Sequence, residues 1–523
     1  MSATSLILTV DFGTQSVRAI LFDLQGRQQG SASVPVPQAQ SPQNGWAEQD
    51  AEQLWRLLCA ACRQVISTTD QPDRIKGIAI TTMRATVVPV NSDGCALRPA
   101  ITWPDQRHTQ GVPPVGGVNG LLLALAGARK TVRYFQSQAE TNWLAVHEPS
   151  LWQKTHRFLL LSGYFNFRMT GLFRDSWASQ IAFVPFDFKR RCWAKSSSWK
   201  WQALPWIKRE QLPELVKPGD RIGTVTASAA AASGIPEGIP VIAAASDKAC
   251  EVLGAGASEQ HFACLSFGTA ATVNVSSARY KETAAMIPPY PAARPDRWNL
   301  EVQVSQGFWL VNWFKKEFGQ AEVSLADSQN VSAESLLDQL LGQSSPGAGG
   351  LLAQPYWTPG LRTPGPEARG AIIGLSPASK RADIYRALLE GILFALRQGK
   401  ERIEHRLGQK IQALLVTGGG ACSDAVVQLT ADLFGSEITR ANEIESSALG
   451  AAINVAVGTG DYDTYEHATA AMTRPGKLFR PDVSASTRYQ ALYRDSYLPL
   501  YARLKPVYHS LQRQDHPAGQ IKA

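Results

Sequence analysis

The stretch TVDFGTQSVRAILFD, residues 9–23, decides how the chain is read. Residues 6–10 are a continuous apolar run and 17–22 are strongly apolar, so two strands flank the polar tip of Asp11, Gly13, Thr14, Gln15 and Ser16. Gly26 then breaks the pattern as a hairpin connection does. A near-copy, CLSFGTAATVNV, returns at 264–275 with Ser266 standing where the first has Asp11. A tight glycine turn exposes consecutive backbone N–H groups, which suits anionic oxygens, and a threonine hydroxyl adds a donor. Two such turns facing each other would clasp a polyphosphate from both sides. A carboxylate beside a phosphate repels it unless a cation lies between them, and Mg2+ is commonly held by one or two carboxylates plus substrate phosphates. The first turn then needs an acid and the second does not. The alternative is that both are ordinary β-turns and Asp11 is a solvated turn residue.

The rest of the chain supports an α/β protein of two domains. Its 523 residues exceed what one core supports. Charged residues make up 18% and hydrophobic ones 44%, which excludes a disordered chain. The net charge of +8 suits anionic small ligands as well as nucleic acid. The run KRRCWAKSSSWKWQ (189–202) mixes cations with tryptophans, but no nucleic-acid fold signature accompanies it, and a solvated loop anchored by its tryptophans is the better reading. Seven cysteines form no framework, and Cys59 and Cys62 fall inside a helical pattern at 50–66, so reduced thiols in a cytoplasmic protein are expected. The N-terminus lacks signal-peptide character. The longest apolar runs, such as LLLALAG (121–127), are far shorter than the roughly 20 residues of a membrane span. Neither a nucleic-acid nor a membrane partner is expected.

Further elements read as a buried strand at 75–83, a second strand and turn at 85–94, a long helical region over about 136–171, a helix over 381–407 and closing helices within 484–511. GIPVIAAASDKACEVLGAGA (238–257) is a buried strand with a polar exit at Ser246 and Asp247. An aspartate leaving a buried strand can meet a substrate hydroxyl as a base, and SDKACEVL also reads as a capped helix start. VTGGGACSDA (416–425) is strand, glycines and helix, which permits close approach of a ligand to a helix N-terminus. It is not G-x-G-x-x-G, so a dinucleotide fold is disfavoured.

Together these pieces resemble the FGGY family of carbohydrate kinases over about residues 6–500. DFGTQSVRAILFD, GWAEQDAEQLW (45–55), TWPDQR (102–107), NWLAVHEP (142–149), RMTG (168–171), SFGTAATV (266–273), TGGGACSD (417–424) and ESSALGAA (445–452) carry the likeness in order and spacing. The resemblance implies two actin-like, ribonuclease H-like ATPase domains with a cleft between them, 1–250 for acceptor and base and 251–523 for nucleotide. It implies phosphorylation of a hydroxyl of a small sugar, ketose or polyol, with ATP and Mg2+ as cofactors. Asp247 falls on the family's catalytic aspartate, and Asp11 on its magnesium-linked aspartate, with Asp247 also close to the metal. Gly13, Thr14 and Gln15 with Gly268 and Thr269 fall on the phosphate turns; Gly419, Gly420 and Asp424 fall on the adenosine motif. The acceptor would lie near Arg84, Trp103, Asp105 and Arg107. A nucleotide-binding sensor of the same fold is the alternative, and a homodimer is left open.

Some residues depart from the family. Glycerol kinases carry Arg-Glu where this chain has Arg84 and Ala85. A site built to bond a hydroxyl discriminates strongly, so the missing acid argues against glycerol. Gly360-Leu361-Arg362 and Gly163-Tyr164 also differ from the family pattern.

Overall fold

The computed structural model describes residues 5–360 and 364–515; Leu361 and Arg362 lie outside them. The chain forms two compact units, each assembled from three stretches. The first comprises Met1–Ser258, Ser277–Asn299 and Glu445–Arg474, and the second Glu259–Ser276, Leu300–Ile444 and Pro475–Ala523. An expected boundary at 250/251 treats both domains as contiguous; here 277–299 and 445–474 pack with the first unit.

The first unit is built on the six strands β1 (Leu6–Phe12), β2 (Ser16–Asp23), β3 (Gln28–Pro35), β4 (Ile75–Thr82), β5 (Arg221–Thr224) and β6 (Pro240–Ile242), in the order β5-β6-β4-β1-β2-β3. β1 runs antiparallel to β2 and parallel to β4, with Asp11 opposite Arg18 on one side and Thr81 on the other. β1 is buried along its whole length, as a strand covered on both faces must be. Leu8, Val10 and Phe12 pack with Leu54, Trp55 and Leu58 of the amphipathic helix Ala51–Ile66. Ile7, Ile20 and Ala79 pack on the opposite face with Leu449, Ala452 and Ile453 of helix Ser446–Gly458.

That second helix crosses helix Asp247–Gly254 through glycines. A Cβ on Gly450 would sit 1.9 Å from the Cys250 carbonyl oxygen, and one on Gly254 would sit 2.0 Å from that of Ser446. Only glycine permits this crossing, which holds the start of helix Asp247–Gly254 beside the sheet.

The second unit repeats the plan. Its strands β7 (Phe262–Phe267), β8 (Ala271–Ser277), β9 (Trp298–Val304), β10 (Ala413–Thr417), β11 (Ile438–Ala441) and β12 (Pro475–Phe479) follow the order β9-β8-β7-β10-β11-β12. β7 is antiparallel to β8 and parallel to β10, just as β1 is to β2 and β4. The 27-residue helix Arg381–Leu407 supplies Leu388, Ile392 and Leu396 to this core.

One expected element differs. The long helical region of 136–171 is instead helices Glu140–His147 and Pro149–Lys154, strand Arg157–Leu160 and helix Leu161–Thr170. Pro149 starts a new helix at a position proline favours, and residues 157–160 pair antiparallel with Val87–Val90. All seven cysteines are free, and Cys59 and Cys62 are buried in their helix.

Candidate active site

In the first unit, the turn between β1 and β2 is closed by the Gly13 N–H donating to the Ser16 carbonyl at 3.0 Å. Val36 N–H donates to the Gln15 carbonyl at 2.9 Å, and Thr14 and Gln15 are exposed. Asp11, just behind the turn, is buried. Burial, then the neighbouring Asp247, push its carboxyl up to about 7, while Arg18 pulls the other way.

Asp247 reaches the same neighbourhood from β6. Thr81, opposite Asp11, donates its hydroxyl to the Ala245 carbonyl at 2.9 Å, and Ser246 N–H donates to the Ala178 carbonyl at 3.2 Å. These bonds fix the exit of the strand, and Asp247 opens the helix that follows. Ser246 holds the N-cap position without a side-chain cap, so the helix start expected from the sequence exists and Asp247 is its first residue. The Asp247 carboxylate accepts from Lys248 N–H at 2.8 Å. Burial raises its pKa, and Lys248 and Arg84 pull it back.

Arg84 follows β4 and lies over the Tyr290 ring, 4.5 Å from its centroid. Ala85 has φ +59°, the left-handed region. Trp103 donates its indole N–H to the Thr14 hydroxyl at 2.9 Å, which joins the expected acceptor loop to the β1–β2 turn.

The side chains of Asp105 and Arg107, expected near the acceptor, are shielded from solvent. Both are buried in a network of their own. Arg107 donates to Asp105 through Nε and Nη2 at 2.8 Å each, and to Glu48 at 2.7 Å. Its guanidinium packs against both Trp46 and Trp143, 4.1 and 4.6 Å from their centroids, and the two rings meet edge to face. Asp105 also accepts from Ala47 N–H at 2.6 Å, and Arg98 pairs with Glu48. The network fixes the loop that carries Trp103. Trp46, Glu48 and Trp143 were not singled out from the sequence, although they stand in the GWAEQD and NWLAVHEP motifs.

In the second unit, the β7–β8 turn is held by helix Trp309–Phe318. Phe308 N–H donates to the Gly268 carbonyl at 3.1 Å, and Trp309 N–H to that of Thr269 at 3.2 Å. Phe308 stacks on Phe267 with centroids 4.7 Å apart. The glycines after β10 lie close by: Gly418, at φ +87°, would bring a Cβ within 3.1 Å of the Phe267 backbone. Gly419 has open space where a Cβ would go. Ser423 caps helix Asp424–Phe434. Asp424 accepts from Arg440 at 2.7 Å and pairs with Lys477, which hold its carboxyl below the usual range.

No cluster of three or more metal-ligating side chains occurs among the described residues. Asp11 is buried and Asp247 half-buried, and the two lie close enough for Asp247 to raise the Asp11 carboxyl.

The FGGY family of carbohydrate kinases, N-terminal domain, matches residues 6–254, and its C-terminal domain matches 263–459. The chain belongs to the FGGY family of carbohydrate kinases. This FGGY kinase is therefore a phosphotransferase with the two-domain actin-like fold. It is 29% identical over 490 residues to the uncharacterized sugar kinase YgcE of Escherichia coli, covering 93% of this chain and 91% of that protein. A xylulose kinase of Staphylococcus epidermidis is 29% identical over 507 residues, covering 96% of this chain and 97% of its own. The crystal structure of xylulose kinase from Rhodospirillum rubrum aligns with TM-score 0.78 at 28% identity, over 96% of this chain and 100% of that one.

Proposed function

We propose that this FGGY kinase moves the γ-phosphoryl group of ATP to a hydroxyl of a small sugar, ketose or polyol. The observation that carries the reading is Asp247. It is a carboxylate at a helix start, with a raised pKa, in the same unit as the Thr14 turn, Arg84 and Trp103. Phosphoryl transfer asks for positioning, charge neutralisation and a base. Asp247 takes the hydroxyl proton. Arg84 and Trp103 orient the acceptor, and Asp105 and Arg107 act by holding the Trp103 loop. Gly13, Thr14 and Gln15 bind phosphate oxygens from residues 1–250, and Gly268 and Thr269 do so from 251–523, where Gly419, Gly420 and Asp424 take the adenosine.

Mg2+ fits the acid pair. Asp11 is destabilised as a carboxylate by burial and by Asp247, a cost that a cation would relieve. Asp11 and Asp247 would hold it, in part through water, and it would neutralise phosphate charge when bound. Free cysteines suit a reducing cytoplasm.

A screen of pentuloses, polyols and autoinducer-2 for coupled ADP formation tests this reading. One acceptor class should raise ADP release well above the blank. Tight nucleotide binding with no acceptor-stimulated release across the panel would instead favour a nucleotide sensor.

A further inference from the structure

The apolar run LLLALAG is too short to span a bilayer, but it forms an exposed helix. In Gly117–Leu125, Val118, Leu121, Leu122 and Leu125 are 76%, 58%, 58% and 79% exposed. They stand at i, i+3, i+4 and i+7, the spacing of one helix face. The opposite side is used: Leu123 packs with Ala128, Val132 and Ala203 in a small core. The outward stripe has no role in that core or in the candidate active site. Isolated exposed leucines need no explanation, whereas a contiguous stripe marks an interaction surface.

Charge narrows the occupant. No Asp or Glu occurs between Asp105 and Glu140. The next helix, Arg129–Gln138, turns Val132 inward and leaves Arg129, Lys130, Arg133 and Tyr134 exposed. Arg129 Nε donates to the Gly120 carbonyl at 3.4 Å, so this cation sits against the apolar helix itself.

A second copy of the chain fits poorly. Four side chains make a patch of a few hundred Å2, short of the roughly 800 Å2 per partner of a stable dimer. A two-fold contact would also bring like charges together. An anionic lipid surface suits both halves, because aliphatic side chains enter the acyl boundary while cations meet headgroups. Stable attachment at a membrane surface takes two such signals together.

We propose that the helix pair Gly117–Leu125 and Arg129–Gln138 docks this kinase on anionic membrane surfaces, lying on the bilayer without crossing it. This departs from the expectation of no membrane partner, which rested on the shortness of the apolar runs and on reading 189–202 as a solvated loop.

Co-sedimentation of the full chain with vesicles tests it, using phosphatidylglycerol mixed with phosphatidylcholine against phosphatidylcholine alone. Binding should require the anionic lipid and weaken as salt rises. L121E/L125E should abolish it. R129Q/K130Q/R133Q should weaken it by about 100-fold, each cation near an anionic surface being worth about fivefold. All five positions are exposed, and unchanged melting temperatures would show that the variants fold. Equal binding of wild type and L121E/L125E, or no sedimentation with anionic vesicles, would overturn the proposal. So would concentration-dependent self-association in light scattering that L121E/L125E removes, since a second copy would then be the occupant.

Discussion

The Trp103 indole N–H donates to the Thr14 hydroxyl at 2.9 Å, so the loop expected to hold the acceptor is bonded to the turn expected to hold phosphate. Thr14 retains its own proton, whose nearest acceptor is the Met83 sulfur at 3.7 Å, a weak partner. A phosphate oxygen would be a better one. Trp103→Phe keeps the ring and removes the N–H. It should weaken nucleotide affinity by about three- to tenfold, the worth of one hydrogen bond. Thr14→Val should do at least as much, and the double variant should cost less than the two effects combined. Isothermal titration with a non-hydrolysable nucleotide measures this; strictly additive effects would show that the two side chains do not act together.

Asp247→Asn should leave nucleotide binding nearly intact and lower turnover by about 10²–10⁴-fold, the usual worth of a positioned base. Unchanged kcat with a verified acceptor would remove Asp247 from that role.

Ala85 holds φ +59° beside Arg84. A β-carbon in this region costs about 1–2 kcal/mol, which glycine avoids while adding unfolded-state entropy. Ala85→Gly should therefore melt at or slightly above wild type. Ala85→Val should lose about 1–3 kcal/mol in urea denaturation and should raise KM for the acceptor as Arg84 shifts.

Glu140 is half-buried with its Oε2 shielded from solvent, and this desolvation followed by Asp105 moves its carboxyl from 4.5 to about 7, with Arg107 opposing. The folded state holds this proton more tightly than the unfolded state. Its contribution to stability is therefore greatest below pH 4.5 and is lost as pH rises to about 7. Glu140→Gln should remove that share of the pH slope and gain about 1–3 kcal/mol on wild type above pH 7. Urea midpoints at pH 5 and 8 report it; parallel curves for the two proteins would show that Glu140 does not titrate in this window.

Gly450→Ala would place a methyl group 1.9 Å from the Cys250 carbonyl oxygen. The backbones must separate, so we expect a loss of about 2–4 kcal/mol and reduced turnover, because the helix that moves begins at Asp247.

The two sheets were legible where a local signal decided them. The 6–23 hairpin, its 264–275 counterpart and helix Arg381–Leu407 all followed from apolar spacing and glycine breaks. Local pattern misled at 136–171, because Arg157–Leu160 is a strand only through its pairing with Val87–Val90, which no window of sequence contains. The site divides the same way. Asp11 stood out as an acid at the end of a buried strand, whereas Asp247 read equally as a helix start, which it is, and drew its role only from the family resemblance. The burial of Arg107 against Trp46 and Trp143 was not visible, since its partners are about 40–60 residues away on either side.

Helix Ser446–Gly458 covers one face of a sheet whose strands end at residue 242. The ribosome thus delivers the first unit's last stretch only after the second unit's 259–276 and 300–444 have emerged. A fragment stopping near residue 258 would lack Leu449, Ala452 and Ile453 over Ile7, Ile20 and Ala79, so the nascent first half would keep part of its core open until its own tail arrives.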